Sequence, residues 1–358
     1  MRRAIFAILT ILACVAAARA LVVVDSVDGT PMMMASVFDA NGTIVGMTDD
    51  YGNLPDCELP VTVRYIGYQP LFVNEHHADT LRMTMTAYLL PEVSVVPTDR
   101  PVTRMVVYVR EYATLASKAD TIDCYFDYMG NFQWAKGKVK TFKGSDRNFR
   151  RSSTDYRGYR RLHTAEKDTI LPAEEDDVDF LQLETLMSVP YEEIRESWTK
   201  GAPADQTDTV RGVAGFEKLR FNTSATYNIV EDLLADKEDH RWTPWFLKLL
   251  GLTTEFTAFK QSYVYPAEKS GIHQPETLLA HTFAMEATGR GKWFKKAFRS
   301  DDAVELRFYY EIYPVEVVYM SADEWREFKA APVPDEFRIP ALAPELPDYI
   351  LDNLKAAR

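Results

Sequence analysis

From Val304 to Tyr313 the chain alternates without a break: Val304, Leu306, Phe308, Tyr310 and Ile312 take turns with Glu305, Arg307, Tyr309, Glu311 and Tyr313. Successive side chains of a strand point to opposite faces, so this period fits one edge-on row of an antiparallel sheet and does not fit a helix. Shorter versions recur: Val61, Val63 and Tyr65 alternate with Thr62 and Arg64, and Leu81, Met83 and Met85 with Arg82, Thr84 and Thr86. With 46% apolar and 26% charged residues the chain has the make-up of a folded protein. Tyrosine and phenylalanine at 19 each, against 16 glycines, point to a β-rich body.

The first twenty residues follow different rules. Arg2 and Arg3 precede the apolar stretch Ala4 to Ala13, and Ala18-Arg19-Ala20 offers small residues where signal peptidase reads, so residues 1–20 are expected to be a signal peptide cleaved after Ala20. The apolar run falls short of a bilayer span. An alternative uses Ile11-Leu12-Ala13-Cys14 for lipidation at Cys14, although Leu12 is large for that role. Either route makes this an exported protein, periplasmic or associated with an outer membrane. Cleavage removes three arginines and no acid, taking the net charge from −12 to −15. Such a surface repels polyphosphate, which excludes nucleic acid as a partner. Cys57 and Cys124 remain, and they could pair in an oxidising compartment or stay apart as two thiols in separate domains.

Residues 21–96 read as short strands divided by turns. Asp28-Gly29, Asn41-Gly42 and Asp49-Asp50-Tyr51-Gly52-Asn53 are the turn signals, the second being the pattern of a tight hairpin. In order, Val24-Asp25, Gly29-Thr30-Pro31, Ala35-Ser36-Val37, Thr48-Asp49, Gly52-Asn53, Val63-Arg64-Tyr65-Ile66-Gly67-Tyr68 and Leu90-Pro91-Glu92-Val93-Ser94-Val95 make this region resemble the carboxypeptidase-regulatory-like domain of Bacteroidetes envelope proteins. The resemblance implies a seven-stranded transthyretin-like β-sandwich with no catalytic residues of its own. Leu54-Pro55 departs from the pattern, and a proline there delays the next strand or puts it at an edge.

Pro97-Thr98-Asp99-Arg100-Pro101 reads as a stiff linker, residues 97–101. Residues 102–358 are expected to form an α+β domain on an antiparallel sheet. Val106 to Tyr112, Thr121 to Tyr128 and Lys136 to Phe142 are strand candidates, and Phe180 to Met187, Tyr191 to Trp198 and Ile229 to Leu234 helical ones. Ser321-Ala322-Asp323-Glu324 is a capping box opening a short helix at Trp325, and a last helix is expected near Tyr349 to Lys355.

Chemistry is sparse. His163 and Glu166, like His273 and Glu276, have the His-x-x-Glu spacing of zinc ligands, and His163, Glu166 and the distant His281 make a weak zinc set. Asn74 to Asp79, with His76 and His77, belongs in a surface loop. No nucleophile elbow, His-Glu-x-x-His helix or phosphate-cradling glycine loop occurs, and a Cys124 nucleophile would need a base that only the fold can place. Nothing asks for a cofactor. The arginine run from Arg147 to Arg161 is balanced by the acids Glu174 to Asp179. Two stretches suit a membrane interface as well as a core: Trp242 to Leu250, and Arg290 to Arg299, in which Trp293, Phe294, Lys295 and Lys296 form the candidate interface. Asp25-Ser26-Val27, Asp79-Thr80-Leu81, Asp120-Thr121-Ile122, Asp168-Thr169-Ile170 and Asp208-Thr209-Val210 are similar to Bacteroidetes O-glycosylation sites and also ordinary turn-to-strand chemistry. The leading expectation is a non-enzymatic envelope protein with an accessory sandwich and a larger domain that binds a protein, glycan or peptide. A zinc-dependent peptidase and a peripheral lipid-binding protein are the alternatives.

Overall fold

The computed structural model describes residues 21–74, 79–86, 100–135, 150–151, 157–172, 210–211, 217–235, 237–249, 252–267, 278–291, 302–330 and 346–357. The chain is β-rich, as its alternating segments predict. Residues 21–86 contribute six strands in two sheets: β1 (Val22–Asp25) runs parallel to β6 (Thr80–Met83), and β3 (Ile44–Met47), β2 (Ser36–Asp39), β4 (Val61–Arg64) and β5 (Leu71–Val73) pair antiparallel in that order. The resemblance implied seven; Leu90 to Val95 lies outside the described residues. Val23, Met32, Ala35, Val37, Val61, Val63, Val73 and Met83 fill the space between the sheets. No strand forms between Pro55 and Pro60, in keeping with the late start expected there.

The turns follow their residues. Asp39 accepts hydrogen bonds from the backbone N–H groups of Asn41 and Thr43 at 2.8 and 2.9 Å, closing the hairpin between β2 and β3. Gly42 sits there at φ 74°, where a side chain is strained, and an added Cβ would come within 2.3 Å of the Tyr349 ring. Glycine is therefore needed twice over, by its own backbone and by a neighbour.

Among the described residues, the larger region holds one antiparallel sheet of eleven strands. Its strands are β7 (Val102–Ala116), β8 (Thr121–Ala135), β9 (Arg150–Arg151), β10 (Arg157–His163), β11 (Asp168–Pro172), β12 (Val210–Arg211), β13 (Glu217–Asn222), β14 (Thr226–Asp232), β15 (Leu252–Pro266), β16 (Ala280–Gly291) and β17 (Val304–Met320). The spatial order is β11-β10-β8-β7-β17-β16-β15-β14-β13-β12, with β9 on β8. The first and last long strands, β7 and β17, are therefore neighbours in the middle. Ile229 to Leu234, expected to be helical, instead falls mainly in β14. Residues 226–231 are buried without alternation because both sheet faces are covered, and a strand buried on both sides loses the period that distinguishes it from a helix. Lys136 to Phe142, Phe180 to Met187 and Tyr191 to Trp198 lie outside the described residues.

Three α-helices and a 3-10 turn at Glu238–His240 complete the described chain: the α-helices are α1 (Trp245–Leu249), α2 (Ala322–Ala330) and α3 (Asp348–Ala357). The capping box forms as expected: Ser321 N–H donates to the Glu324 carboxylate at 2.6 Å, and Glu324 N–H to Ser321 Oγ at 3.2 Å. One face of the great sheet carries an apolar layer that includes Val107, Phe126, Tyr263, Phe283 and Phe308. On the other face sit the sandwich, through Met33, Met34, Phe38 and Ile44, and α3, through Ile350 and Leu354.

Candidate functional site

The face beneath the sandwich is where charge gathers. Register places Arg157, Asp127, Arg110, Glu311, Thr282 and Ser262 side by side on β10, β8, β7, β17, β16 and β15. Alternating sign across neighbouring strands is a favourable cross-strand pattern. Two positions along the strands, Tyr159, Tyr125, Tyr112 and Tyr309 make a parallel row on β10, β8, β7 and β17, with ring centroids 6.1, 5.2 and 5.9 Å apart.

Hydrogen bonds knit the two rows. Asp127, fully buried, accepts from Tyr108 OH at 2.6 Å, Tyr125 OH at 3.0 Å and the Arg157 fork, whose Nε lies at 2.7 Å. Glu311 accepts from Tyr313 OH at 2.9 Å and Tyr309 OH at 3.3 Å, and its carboxylate lies 3.9 Å from Arg110 Nη1. From the sandwich, Arg64 Nη1 donates to Tyr112 OH at 3.3 Å and Ser36 Oγ to Tyr309 OH at 3.3 Å, while the Phe38 ring packs at 5.1 Å against Tyr112, tilted by 60°. Asp25 does the same further along, accepting from Tyr68 OH and from Ser224 N–H at 2.8 Å and Ser224 Oγ.

Burial dominates the proton affinities here. It pushes the Tyr112 hydroxyl up to about 12, with Glu311 adding to the shift, and raises Tyr125, Tyr309 and Tyr313 well above the usual range. Burial opposes the Arg64 and Arg110 charges, yet the surrounding phenols, with Glu311 beside Arg64, more than offset it and keep both guanidiniums protonated. At neutral pH these groups hold their protons. They act as fixed donors and charges, suited to cohesion and ill suited to proton transfer.

His163 lies on the same face, towards the far end of the strands. Its Nε2 is 2.8 Å from Asp123 Oδ2 and its Nδ1 2.9 Å from Asp168 Oδ1. An unprotonated carboxylate only accepts and a neutral imidazole has a single N–H, so both bonds together require the imidazolium or one protonated acid. Asp123 also accepts from Thr114 at 3.0 Å and from Thr43 of the sandwich at 3.1 Å; its burial raises its pKa despite these bonds. Arg161 donates to Asp168 at 3.0 Å and, as the leading cause, lowers its pKa. The adjoining cavity, lined by Gly42, Thr43, Asp123, Tyr159 and Tyr349, has about 10 Å³, the room of one water molecule.

The weak zinc set does not converge. Glu166 is exposed in the turn between β10 and β11, and both His163 nitrogens face carboxylates. His281 is on β16 in the apolar face, paired across to Ile312 and thence to Val109 and Tyr128, whereas His163 pairs with Thr121. The two histidines therefore occupy opposite faces, roughly 20 Å apart along the strand direction alone. Cys57 and Cys124 are two separate thiols with no disulfide between them. His273, Glu276, His76, His77, Trp293, Phe294, Lys295 and Lys296 lie outside the described residues.

Sequence reasoning passed over Arg64, Arg110, Asp127 and Glu311. Each occupies the polar half of an alternating strand and reads as solvent-facing. The only signal against that reading was the aromatic company on the same half, Tyr309 and Tyr313 beside Glu311 and Tyr108 and Tyr112 beside Arg110.

No family model and no curated protein matches the chain. Among solved structures it is similar to a lipovitellin described for its lipid–protein interactions, at 11% identity and a TM-score of 0.28, over 62% of this chain and 26% of that one. A putative AttH from Nitrosomonas europaea is similar at 10% identity and a TM-score of 0.15, over 64% and 59% of the two chains. The chain thus spans about a quarter of the lipovitellin it matches. At these scores neither likeness bears on fold or function.

Proposed function

We propose that this is an exported, non-catalytic binding protein of the cell envelope, in which a carboxypeptidase-regulatory-like sandwich and a wide sheet act as one body to hold a protein, glycan or peptide. The observation that supports it most is the fate of the ionisable side chains. Arg64, Arg110, Asp127, Arg157 and Glu311 are spent on one another and on tyrosines across the sandwich–sheet contact, and His163 is held between Asp123 and Asp168. A seam of this kind fixes the orientation of two units. The signal-peptide pattern of residues 1–20 supports the exported compartment, and the acidic charge argues against nucleic acid.

Two measurements on the purified full chain test the reading together. Elemental analysis is expected to find no stoichiometric zinc, and screening against glycan and peptide arrays is expected to return a saturable ligand. Stoichiometric zinc lost on His163→Ala, or hydrolysis of a peptide library, would establish the peptidase alternative instead.

A further inference from the structure

Helix α1 presents two apolar side chains to solvent. Trp245 is 72% exposed and Leu249, at 76%, is the most exposed large apolar side chain among the described residues. Four residues apart on a helical turn, they share one side of it. Lys248, between them in sequence, is exposed too. The turn is held in place from behind: Trp242 and Phe256 exchange backbone hydrogen bonds at 3.0 and 2.8 Å and their rings lie 5.6 Å apart. Arg241 is matched by Glu255 at 2.9 Å.

Strand pairing brings a second sequence feature to this place. Leu252, three residues after α1, is opposite Gly291, and Thr253 is opposite the exposed Arg290. The apolar stretch from Trp242 and the start of the basic-aromatic stretch at Arg290, separate in sequence, therefore meet at one end of the β15–β16 hairpin. In a chain of net charge −12 this end carries Lys248 and Arg290 beside exposed indole and leucine.

We propose that α1 and this end of the β15–β16 hairpin form a docking surface for a phospholipid bilayer. Trp245 and Leu249 enter the boundary between headgroups and acyl chains, and Lys248 and Arg290 meet anionic headgroups. An indole is suited to that boundary, with an apolar body and a polar N–H, and a lysine stem reaches back to the headgroups. Glu238 and Asp239 in the preceding turn temper the positive charge, so apolar insertion carries more of the binding than attraction does. This goes beyond the binding reading above and requires neither a glycan nor a peptide, so either can fail without the other.

The test is co-sedimentation of the full chain with vesicles of phosphatidylcholine containing one part in four phosphatidylglycerol, alongside light scattering for oligomeric state. Binding is expected, falling at least about tenfold in Trp245→Ser/Leu249→Ser and kept in Trp245→Phe. Lys248→Glu is expected to weaken it by a smaller factor that shrinks as salt is raised. Circular dichroism of each variant should match the parent, because the replaced side chains are exposed. Absence of vesicle binding by the parent chain, or equal binding by the double variant, overturns the proposal. A parent dimer that the double variant converts to monomer, with no vesicle binding, overturns it in favour of a second copy as the occupant.

Discussion

His281 sits in the apolar face of the sheet at 1% exposure, stacked 4.7 Å from the Tyr263 ring, and neither ring nitrogen has a hydrogen-bond partner. Burial holds its pKa down at about 3, against 6.5 for the free side chain. The sign of the consequence is fixed by linkage: above pH 6.5 the ring is neutral in both states, and as pH falls the unfolded chain takes up a proton that the folded one refuses. Stability is thus fully present above pH 6.5 and is lost as pH falls towards 3. A difference of this size is at most about 5 kcal/mol across the whole window, and about 2 kcal/mol by pH 5. His281→Phe removes both the titration and two unsatisfied buried atoms. It is expected to raise stability at pH 7.5 by about 1–3 kcal/mol and to erase that part of the acid loss. Urea unfolding of parent and variant at pH 7.5 and pH 5 measures both, and taking the difference cancels every other titrating group. Equal acid losses in the two proteins, or a His281 imidazole titrating near 6.5 in the folded chain by NMR, would refute the reasoning.

Arg110→Met removes the buried guanidinium 3.9 Å from the buried Glu311 carboxylate and is expected to cost about 3–5 kcal/mol in denaturant unfolding. Replacing Arg110 and Glu311 together by apolar residues should recover much of that loss. Gly42→Ala should cost about 1–3 kcal/mol, from its positive φ and the Tyr349 ring; a cycle with Tyr349→Ala separates the two, since only the contact is relieved. Asp25→Ala removes the acceptor that Tyr68 of the sandwich shares with Ser224 of the larger region. Hydrogen exchange is expected to rise in residues 22–25 and 80–83 while the centre of the great sheet stays protected.

The sandwich was legible because its turns are written in single residues: Asp39 and Gly42 make the hairpin that Asn41-Gly42 announces, and Asp49 accepts from Tyr51 and Asn53 in the next turn. The strand from Val304 was legible because one of its faces is wholly apolar. Ile229 and Val230 misled because they face two different cores, and a residue pattern cannot distinguish two covered faces from a helix buried all round. The charged seam was illegible for a related reason. Arg110 and Glu311 look solvent-facing until the sandwich, more than a hundred residues away from Glu311, is laid over them. His163 was noticed for its spacing to Glu166, whereas its partners Asp123 and Asp168 come from a neighbouring strand and the far side of a turn, contacts set by register alone.

The central pair of the great sheet joins Val102 to Met320 and continues to Ala116 against Glu305. A ribosome or an export channel delivers β7 long before β17, so the middle of the sheet has to wait, with one edge of β7 unsatisfied, until residues 304–320 have emerged. Bringing such distant segments together is entropically slow. Assembly of the middle of the sheet is therefore tied to the emergence of β17, and loss of residues 304–320 would leave β7 and β16 each facing an empty lane.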